Sequence, residues 1–418
     1  MDIPAFRSYP LLMQTAPKVR FLDRTTPPHI VTLILLAGVS ALAMNVFLPS
    51  LPNMAAHFNT EYRLMQLSVA IYLGVNAVLQ ILVGPISDKV GRRPVILWGM
   101  GLFLVATLGC IFAPNIAVFL IFRMCQAVVV VSMVLSRAVV RDMVPQDQAA
   151  SMIGYVTMGV AVVPMVGPVF GGMLDQAFGW QASFWLLFLV GLAILWLSWR
   201  DLGETSVSSG LSLAQQFSEY PELFRSPRFW GYALTCALSS GAFFAYLGGA
   251  PFVGSQVFGL DPATLGFFFG APAVGYFFGN GLSGRYSARF GINQMILWGC
   301  AIVTAGLAMA LLLFWAGFQS PLTFFGFMTF VGFGNGMTIP NATAGALSVR
   351  PHLAGTASGL SGAIMIGGGA ALSALAGALL QPGTGAWPLL WLMFVTCAAS
   401  IVSILLVMRR EKRLAGLL

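Results

Sequence analysis

Apolar residues in this chain form long uninterrupted segments, and polar residues are confined to the stretches between them. A helical segment of about 20 residues is long enough to cross a hydrocarbon core, because each residue advances the helix by about 1.5 Å. In lipid, a helix satisfies its own backbone polar groups over such a length. We therefore predict an all-α membrane protein with twelve transmembrane helices, at residues 30–50, 66–83, 94–113, 117–138, 150–173, 182–199, 229–249, 263–282, 293–316, 321–341, 355–380 and 387–408.

The segments fall into two sets of six, separated by a charged, Ser-rich stretch. The turn after the second segment reads GPISDKVGRRP at 84–94, and the corresponding turn of the second set reads GLSGRYSARFG at 281–291. Two pseudo-symmetric six-helix halves are a transporter architecture, with the substrate bound between them near the middle of the membrane. The predicted organisation is a tail at 1–28, a first half at 29–200, a linker at 201–228, a second half at 229–408 and a basic tail at 409–418.

Composition and charge agree with this prediction. A hydrophobic content of 58%, a charged content of 8% and a mean hydropathy of +0.86 exclude a set of soluble domains. If both termini are cytoplasmic, every basic residue except Arg63 and Arg123 lies at the cytoplasmic side, as the distribution of Lys and Arg in inner-membrane proteins requires. The net charge of +8 is then a topology signal, and no nucleic-acid partner is predicted. Residues 1–28 lack the features of a signal peptide and are predicted to be a cytoplasmic tail.

The inventory of reactive residues predicts neither a metal site nor a cofactor. The three histidines lie at the ends of segments, and the cysteines have no CxxC spacing. A polytopic membrane enzyme would need clustered His, Asp or Glu residues, so it stays only a remote alternative. Each cysteine is embedded in an apolar segment and is predicted to serve packing: Cys110, Cys125, Cys236, Cys300 and Cys397.

The sequence GPISDKVGRRPV at 84–95 resembles the signature loop of the major facilitator superfamily. In that family the loop latches the cytoplasmic side of the outward-open state. By this resemblance Asp88 would face a neighbouring helix of the second half, and Arg92 would reach Asp142 at the end of the fourth segment. Gly84 and Gly91 of the loop favour a close helix approach and a tight turn. The latch residues implied are Gly84, Asp88, Gly91, Arg92, Arg93 and Asp142.

The fifth segment contains GVAVVPMVGPVFGG at 159–172, which resembles the motif of the drug/proton antiporter branch of the superfamily. The four-residue spacing of small residues allows two helices to touch backbone to backbone, and prolines kink the helix. An ordinary packing seam is the alternative interpretation. The resemblance indicates export and implies an antiporter motif formed by Gly159, Pro164, Gly167, Pro168, Gly171 and Gly172.

The fourth segment runs RMCQAVVVVSMVLSRAVVRD and resembles the intramembrane arginine motif of the family. Arg123 lies within the hydrocarbon zone, where a charge is costly and usually functional, although snorkelling to the interface is the alternative. Arg137 and Arg141 lie nearer the cytoplasmic end and are interpreted as topology and latch residues. Together with ALAMNVFLPSLP at 41–52 and GET at 203–205, the chain resembles the bicyclomycin/chloramphenicol-resistance group.

The sequence departs from that group at Asn45, where its members usually carry an aspartate. Every acidic residue is predicted to lie in a loop or at a segment end, so no carboxylate remains inside the membrane to carry a proton. Arg123 is then expected to be uncompensated, and an unpaired buried cation costs several kcal/mol. The hypothesis is that an anionic or electron-rich group of the substrate pairs with Arg123, which disfavours lipophilic cations as cargo.

The sequence thus predicts a multidrug-type efflux transporter of small amphipathic compounds that works by alternating access, with proton antiport implied by the resemblance. A monomer surrounded by membrane lipid is expected, since monomers are usual in the resembled family. The alternative is an uptake symporter or facilitator for a small solute, with an anion among the candidates. The predicted substrate-binding side chains are Asn45, Tyr72, Asn76, Gln80, Arg123, Tyr246, Asn335 and Asn341.

Overall fold

The computed structural model describes residues 19–143, 156, 163, 166–205, 220–350, 354–414 and 416. Apart from short turns, these residues are helical, and none of them forms a strand. The helices of the first half are α1 (Ile30–Asn45), α2 (Leu51–His57), α3 (Tyr62–Val90), α4 (Arg92–Ile111), α5 (Ile116–Gln126), α6 (Val130–Met143), α7 (166–178) and α8 (Gln181–Asp201).

The second half begins after a short helix, and its described helices follow the same order as those of the first. The helix Pro321–Ser348 of the second half is continuous. In the first half the corresponding span consists of α5 and α6, which are joined by the 3₁₀ turn Ala127–Val129. The helices are α9 (Tyr220–Phe224), α10 (Pro227–Phe252), α11 (Pro262–Phe269), α12 (Ala271–Phe290), α13 (Ile292–Trp315), α14 (Pro321–Ser348), α15 (Ala354–Leu379) and α16 (Trp387–Leu414).

Helix boundaries follow local chemistry. The Asn115 side chain caps α5 by accepting a hydrogen bond from Val118 N at 3.0 Å, and Ser320 caps α14 in the same way from Thr323 N at 3.1 Å. The α1 helix gives way to the 3₁₀ turn Leu48–Ser50, where Pro49 has no N–H to donate. This turn connects α1 to α2.

Ten stretches of the described residues are helical, long and apolar enough to cross a membrane, and they correspond to ten of the twelve predicted segments. The segment predicted at 150–173 lies partly outside the described residues. The segment predicted at 263–282 is divided at Gly270 between α11 and α12, and α12 ends in a polar stretch. Large apolar side chains are exposed on the outer surface, such as Trp98 at 80% and Trp315 at 82%, as expected for a surface that faces lipid.

The signature sequence is mostly helical, which corrects the expectation of a turn over 84–94. The α3 helix continues through Pro85 to Val90, and the chain reverses at Gly91 alone, with φ at 106°. Gly291, at the corresponding turn of the second half, has φ at 83°. Only glycine adopts such backbone angles without strain, so the duplication predicted from sequence reappears as a matched pair of turns.

The two ends of the molecule differ in how the halves meet. We call the end that carries Gly91 the signature-loop end, and the other the opposite end. One continuous apolar core includes residues of both halves, among them Phe47 of the first and Tyr246 of the second. A separate core around Phe229 and Ile296 lies within the second half. Among the described residues, the core that both halves share is therefore distinct from a second core that belongs to the second half alone.

Candidate functional site

Arg123 is the largest fully buried side chain of the described residues and lies in the last turn of α5. Its guanidinium carbon lies 4.2 Å from the centre of the Phe47 ring and 4.1 Å from the centre of the Tyr72 ring. Phe47 follows α1 and Tyr72 belongs to α3, so three segments of the first half meet at this cation. A desolvated cation over an aromatic face gains about 2 kcal/mol per contact.

Hydrogen bonds complete this arginine cluster. Arg123 donates through Nη2 to the carbonyl oxygen of Ala43 at 2.9 Å and through Nη1 to Oε1 of Gln126. Gln126 is held in turn because its Nε2 donates to Oγ1 of Thr107 at 2.8 Å. The guanidinium therefore has polar and aromatic partners, although none of these neutral groups cancels its charge. No carboxylate contacts Arg123 within the described part of the chain, but aromatic faces, a carbonyl and an amide take its place.

Three polar atoms in or beside the cluster are buried without a hydrogen-bond partner: Nε of Arg123, the hydroxyl of Tyr72 and Oδ1 of Asn45. Asn45 donates its Nδ2 to the carbonyl oxygen of Ala41 at 2.7 Å, a bond within its own helix. A buried polar atom without a partner is costly, and such atoms often mark functional sites.

The remaining predicted binding residues lie elsewhere. Asn76 and Gln80 form a pair on α3, with Gln80 Nε2 donating to Asn76 Oδ1 at 2.8 Å. Asn335 accepts a hydrogen bond from Ser239 Oγ at 2.7 Å, which joins α14 to α10. Asn341 donates to Ser283 Oγ at 2.7 Å, which joins α14 to α12. In this conformation both asparagines therefore serve the internal packing of the second half.

Tyr246 lies in an aromatic group of the second half. Its ring centre is 4.9 Å from that of Phe269 and 6.3 Å from that of Phe325, and its buried hydroxyl has no partner. The structure thus brings Tyr72 and Arg123 into direct contact. It does not gather all eight predicted binding residues into one pocket.

The predicted latch residues meet at the signature-loop end. Arg92 forms an ion pair with Asp88 at 2.5 Å and another with Asp142 at 3.1 Å, the second as the resemblance implied. Glu204 receives hydrogen bonds from the backbone N–H groups of Arg92 at 2.8 Å and Arg93 at 3.2 Å. This carboxylate caps the start of α4, and sequence reasoning noted GET at 203–205 without finding that role. Gly84 has open space beside it, so no close helix approach occurs there in this conformation.

The described part of the predicted antiporter motif forms three close backbone contacts. A Cβ at Gly171 would overlap the carbonyl oxygen of Val46, at the end of α1, and one at Gly172 would overlap that of Pro262, at the start of α11. Gly266 of α11 stands in the reciprocal position against the carbonyl of Pro168. The α7–α11 seam, formed by Pro168, Gly172, Pro262 and Gly266, therefore joins the halves at the opposite end. Gly159 and Pro164 lie outside the described residues.

Two hydrogen bonds from α3 close the same end between the halves. Tyr62 donates its hydroxyl to the carbonyl oxygen of Gly248 in α10 at 2.9 Å, and Gln66 donates Nε2 to the carbonyl oxygen of Ser373 in α15. Sequence reasoning missed both residues. The sequence feature that could have indicated this contact is Gln66 itself, a polar side chain at the first position of a predicted apolar segment.

The acidic residues shielded from solvent lie at helix ends. Asp201, at the end of α8, accepts hydrogen bonds from Leu22 N at 2.7 Å, His29 N at 2.9 Å and Thr32 Oγ1 at 2.6 Å, which fixes the start of α1. Asp175, near the end of α7, accepts one from Asn53 Nδ2 at 2.8 Å. Within the described residues, no group of His, Cys, Asp and Glu could hold a metal ion.

Comparison with known proteins places these features in a family. The family model described as Major Facilitator Superfamily matches residues 33–374. Multidrug resistance protein D of Escherichia coli strain K12 is 31% identical over 372 residues, which cover 87% of this chain and 93% of that protein. The chloramphenicol resistance protein of Pseudomonas aeruginosa is 32% identical over 358 residues, covering 84% of this chain and 83% of that protein.

Solved structures share the fold at low sequence identity. A structure of the peptide transporter POT in complex with sulfate aligns with a TM-score of 0.76 at 13% identity, covering 93% of this chain and 95% of that one. A bacterial homolog of the human lysosomal transporter Spinster, in its inward-facing and occupied conformation, aligns with a TM-score of 0.69 at 16% identity, covering 91% and 96%. The family match, the sequence relatives and the two-half architecture agree: the chain belongs to the Major Facilitator Superfamily.

Proposed function

We propose that this protein exports small amphipathic compounds across the bacterial inner membrane by alternating access. Two relatives, named as a multidrug resistance protein and a chloramphenicol resistance protein, align with this chain over most of its length and most of their own. The observation that carries the proposal is the α7–α11 seam, where glycines of both halves touch backbone carbonyls of the other half. Such a contact closes one end of a central pathway and can separate as a unit, because glycines and backbone atoms form it.

We assign the signature-loop end to the cytoplasm, with both termini on that side. This orientation keeps nearly all Lys and Arg residues inside. The structure then corresponds to a state that is closed toward the outside, with the halves joined by the seam and by the hydrogen bonds of Tyr62 and Gln66. Export requires the seam to open and the signature-loop end to close in turn.

In the outward-open state the signature-loop end must hold the halves together. We assign that role to the latch around Arg92, whose ion pairs with Asp88 and Asp142 and whose capping by Glu204 fix the turn at Gly91. An ordered turn presents the same surface to the second half each time the inner side closes. Loss of the ion pairs would weaken the closed inner side without unfolding the helices.

Arg123 has a positioning role in this proposal. Its contacts with Phe47, Tyr72 and Ala43 fix the end of α1 against α3 and α5 at the level of the seam. The unpartnered Nε–H of Arg123 and hydroxyl of Tyr72 can both donate to an electron-rich group, whereas Oδ1 of Asn45 can only accept a hydrogen bond. Asn45 carries an amide, which cannot titrate as a carboxylate does, so proton antiport would require another group.

The proposal is tested in a bacterial host that lacks its own drug pumps. Cells expressing the protein should tolerate higher concentrations of at least one amphipathic drug, and should accumulate less of it, than cells carrying the empty vector. Higher accumulation would indicate uptake and contradict export. Proteoliposomes with an imposed pH gradient then test coupling, because substrate movement indifferent to the gradient would exclude proton antiport.

A further inference from the structure

Arg137 is a solvent-exposed side chain on an otherwise buried stretch of helix. It lies on α6, where the flanking Leu135, Ser136, Ala138 and Val139 are all at most 4% exposed. Protein atoms surround the guanidinium on most sides even though solvent reaches it. A side chain with both properties lines an aqueous space inside the molecule, because the outer surface would leave it less enclosed.

The second half lies across that space. Tyr276 of α12 is near enough to Arg137 to interact electrostatically, although the two helices belong to different halves. On α12, the adjacent Phe277 and Phe278 are 58% and 61% exposed, while Tyr276 is only partly exposed. Arg137 and Tyr276 therefore flank the region between the halves where a transporter of this architecture binds its substrate.

The surroundings of Arg137 differ from those of Arg92 and Arg123, two other cations of the first half. Arg123 is enclosed by rings, a carbonyl and an amide, and Arg92 pairs with two carboxylates. Arg137 forms no hydrogen bond or ion pair with any residue that the structure describes. A guanidinium on an aqueous space enclosed by protein, with no counter-ion among the described residues, attracts anions, and its fork matches a carboxylate, sulfonate or phosphate.

We propose that Arg137 binds an anionic group of the cargo in the space between the halves, with the ring of Tyr276 as the facing wall. This inference rests on the proposed transport function and names its substrate class, amphipathic organic anions. It moves the anion-binding role, which the sequence suggested for Arg123, to a cation that water and solutes can reach.

The test measures binding of two dyes with the same xanthene skeleton, anionic fluorescein and cationic rhodamine 123, to purified full-length protein by fluorescence anisotropy. Arg137→Gln should weaken fluorescein binding about tenfold, as expected for loss of one charge-assisted hydrogen bond, and should leave rhodamine 123 binding unchanged or tighter. Arg137→Lys should retain most of the fluorescein affinity. Arg225→Gln is the matched control, because it removes one exposed positive charge from the linker side of α10.

Folding and function are separated by two further measurements. An unchanged thermal unfolding midpoint in Arg137→Gln shows that weaker binding is not caused by a loss of structure. If the midpoint falls, the fluorescein affinity of Arg137→Lys, which keeps the positive charge, decides whether the charge binds the anion. The inference is overturned if the wild type does not bind fluorescein, or if binding falls equally in Arg137→Gln and Arg225→Gln. The export proposal still stands in that case, provided that the protein protects cells from a drug. Failure of the wild type to move any compound contradicts the export proposal instead.

Discussion

Replacing Gly172 by alanine should hold the opposite end of the molecule open. The added Cβ would lie 2.8 Å from the carbonyl carbon of Pro262 and 3.1 Å from Cα of Ala263, in addition to its overlap with the Pro262 carbonyl oxygen. Carbon atoms in contact prefer about 3.5–4.0 Å, so the two helices must separate by roughly 1 Å. All of these neighbours are backbone atoms, and no side-chain rotation can relieve the clash.

The clash lies between the halves, so its cost falls on the closed state alone. Overpacking of this kind costs about 1–3 kcal/mol, which corresponds to about a 5-fold to 150-fold shift toward the state with the seam open. Gly266→Ala should act in the same direction, because its Cβ would lie 3.1 Å from the carbonyl carbon of Pro168 across the same seam. Gly171→Ala provides the contrast, since it overlaps Val46 of its own half and should lower folding stability instead.

A cysteine at Ser373 reports the opening, in a variant from which the five native cysteines have been removed. Ser373 is fully buried where Gln66 crosses between the halves, and cysteine has nearly the same size as serine. A membrane-impermeant maleimide added to intact cells should label it slowly in the parent and at least 5-fold faster with Gly172→Ala, in proportion to the shifted population. Gly101→Ala, which has open space beside it, is the neutral control. Equal labelling of Gly172→Ala and Gly101→Ala would refute the reasoning.

Three further predictions concern the latch, the arginine cluster and one helix cap. Asp142→Asn removes one ion pair of Arg92, and should reduce drug protection in cells while the purified protein keeps its thermal unfolding midpoint. Tyr72→Phe keeps the ring over Arg123 and should leave that midpoint unchanged, whereas Tyr72→Leu should cost about 1–2 kcal/mol through the lost cation–π contact, and equal midpoints would contradict this. Asp261→Ala should cost about 1 kcal/mol of stability at neutral pH, because the carboxylate caps α11. Hydrogen bonds from Thr264 lower the pKa of Asp261 below its ordinary value of 3.8. The stabilisation by the ionised carboxylate is therefore complete above pH 3.8 and should disappear as the pH falls through the lowered pKa. A difference in stability between the parent and Asp261→Asn that persists in acid would contradict this pH dependence.

The spans and the duplication could be predicted from sequence because each depends on local pattern. Apolar length determines a membrane helix, and Gly91 and Gly291 both require backbone angles that other residues avoid. The signature sequence was less well predicted. Its polar residues suggested a loop, but Pro85 is tolerated within α3 and the helix continues to Val90.

The site was predicted only in part, because side-chain partners depend on helix rotation and on contacts between distant segments. The sequence identified Arg123 as a buried cation, but it could not show that Phe47 and Tyr72 would lie over the guanidinium. Asn335 and Asn341 were polar residues in an apolar helix, and their partners Ser239 and Ser283 come from two other helices. A polar residue in a span thus indicates a packing contact as readily as a substrate contact.

Alternating access itself is tested most directly by distances between spin labels at the two ends of purified protein in lipid nanodiscs. One label pair would be placed at the exposed Glu61 and Gln319 of the opposite end, and the other at the exposed Lys89 and Arg289 of the signature-loop end. Double electron–electron resonance, with and without a drug that the protein exports, should show two populations in which the first distance lengthens as the second shortens. Distances that change at one end only, or at neither, would contradict the account of two halves rocking about a central site.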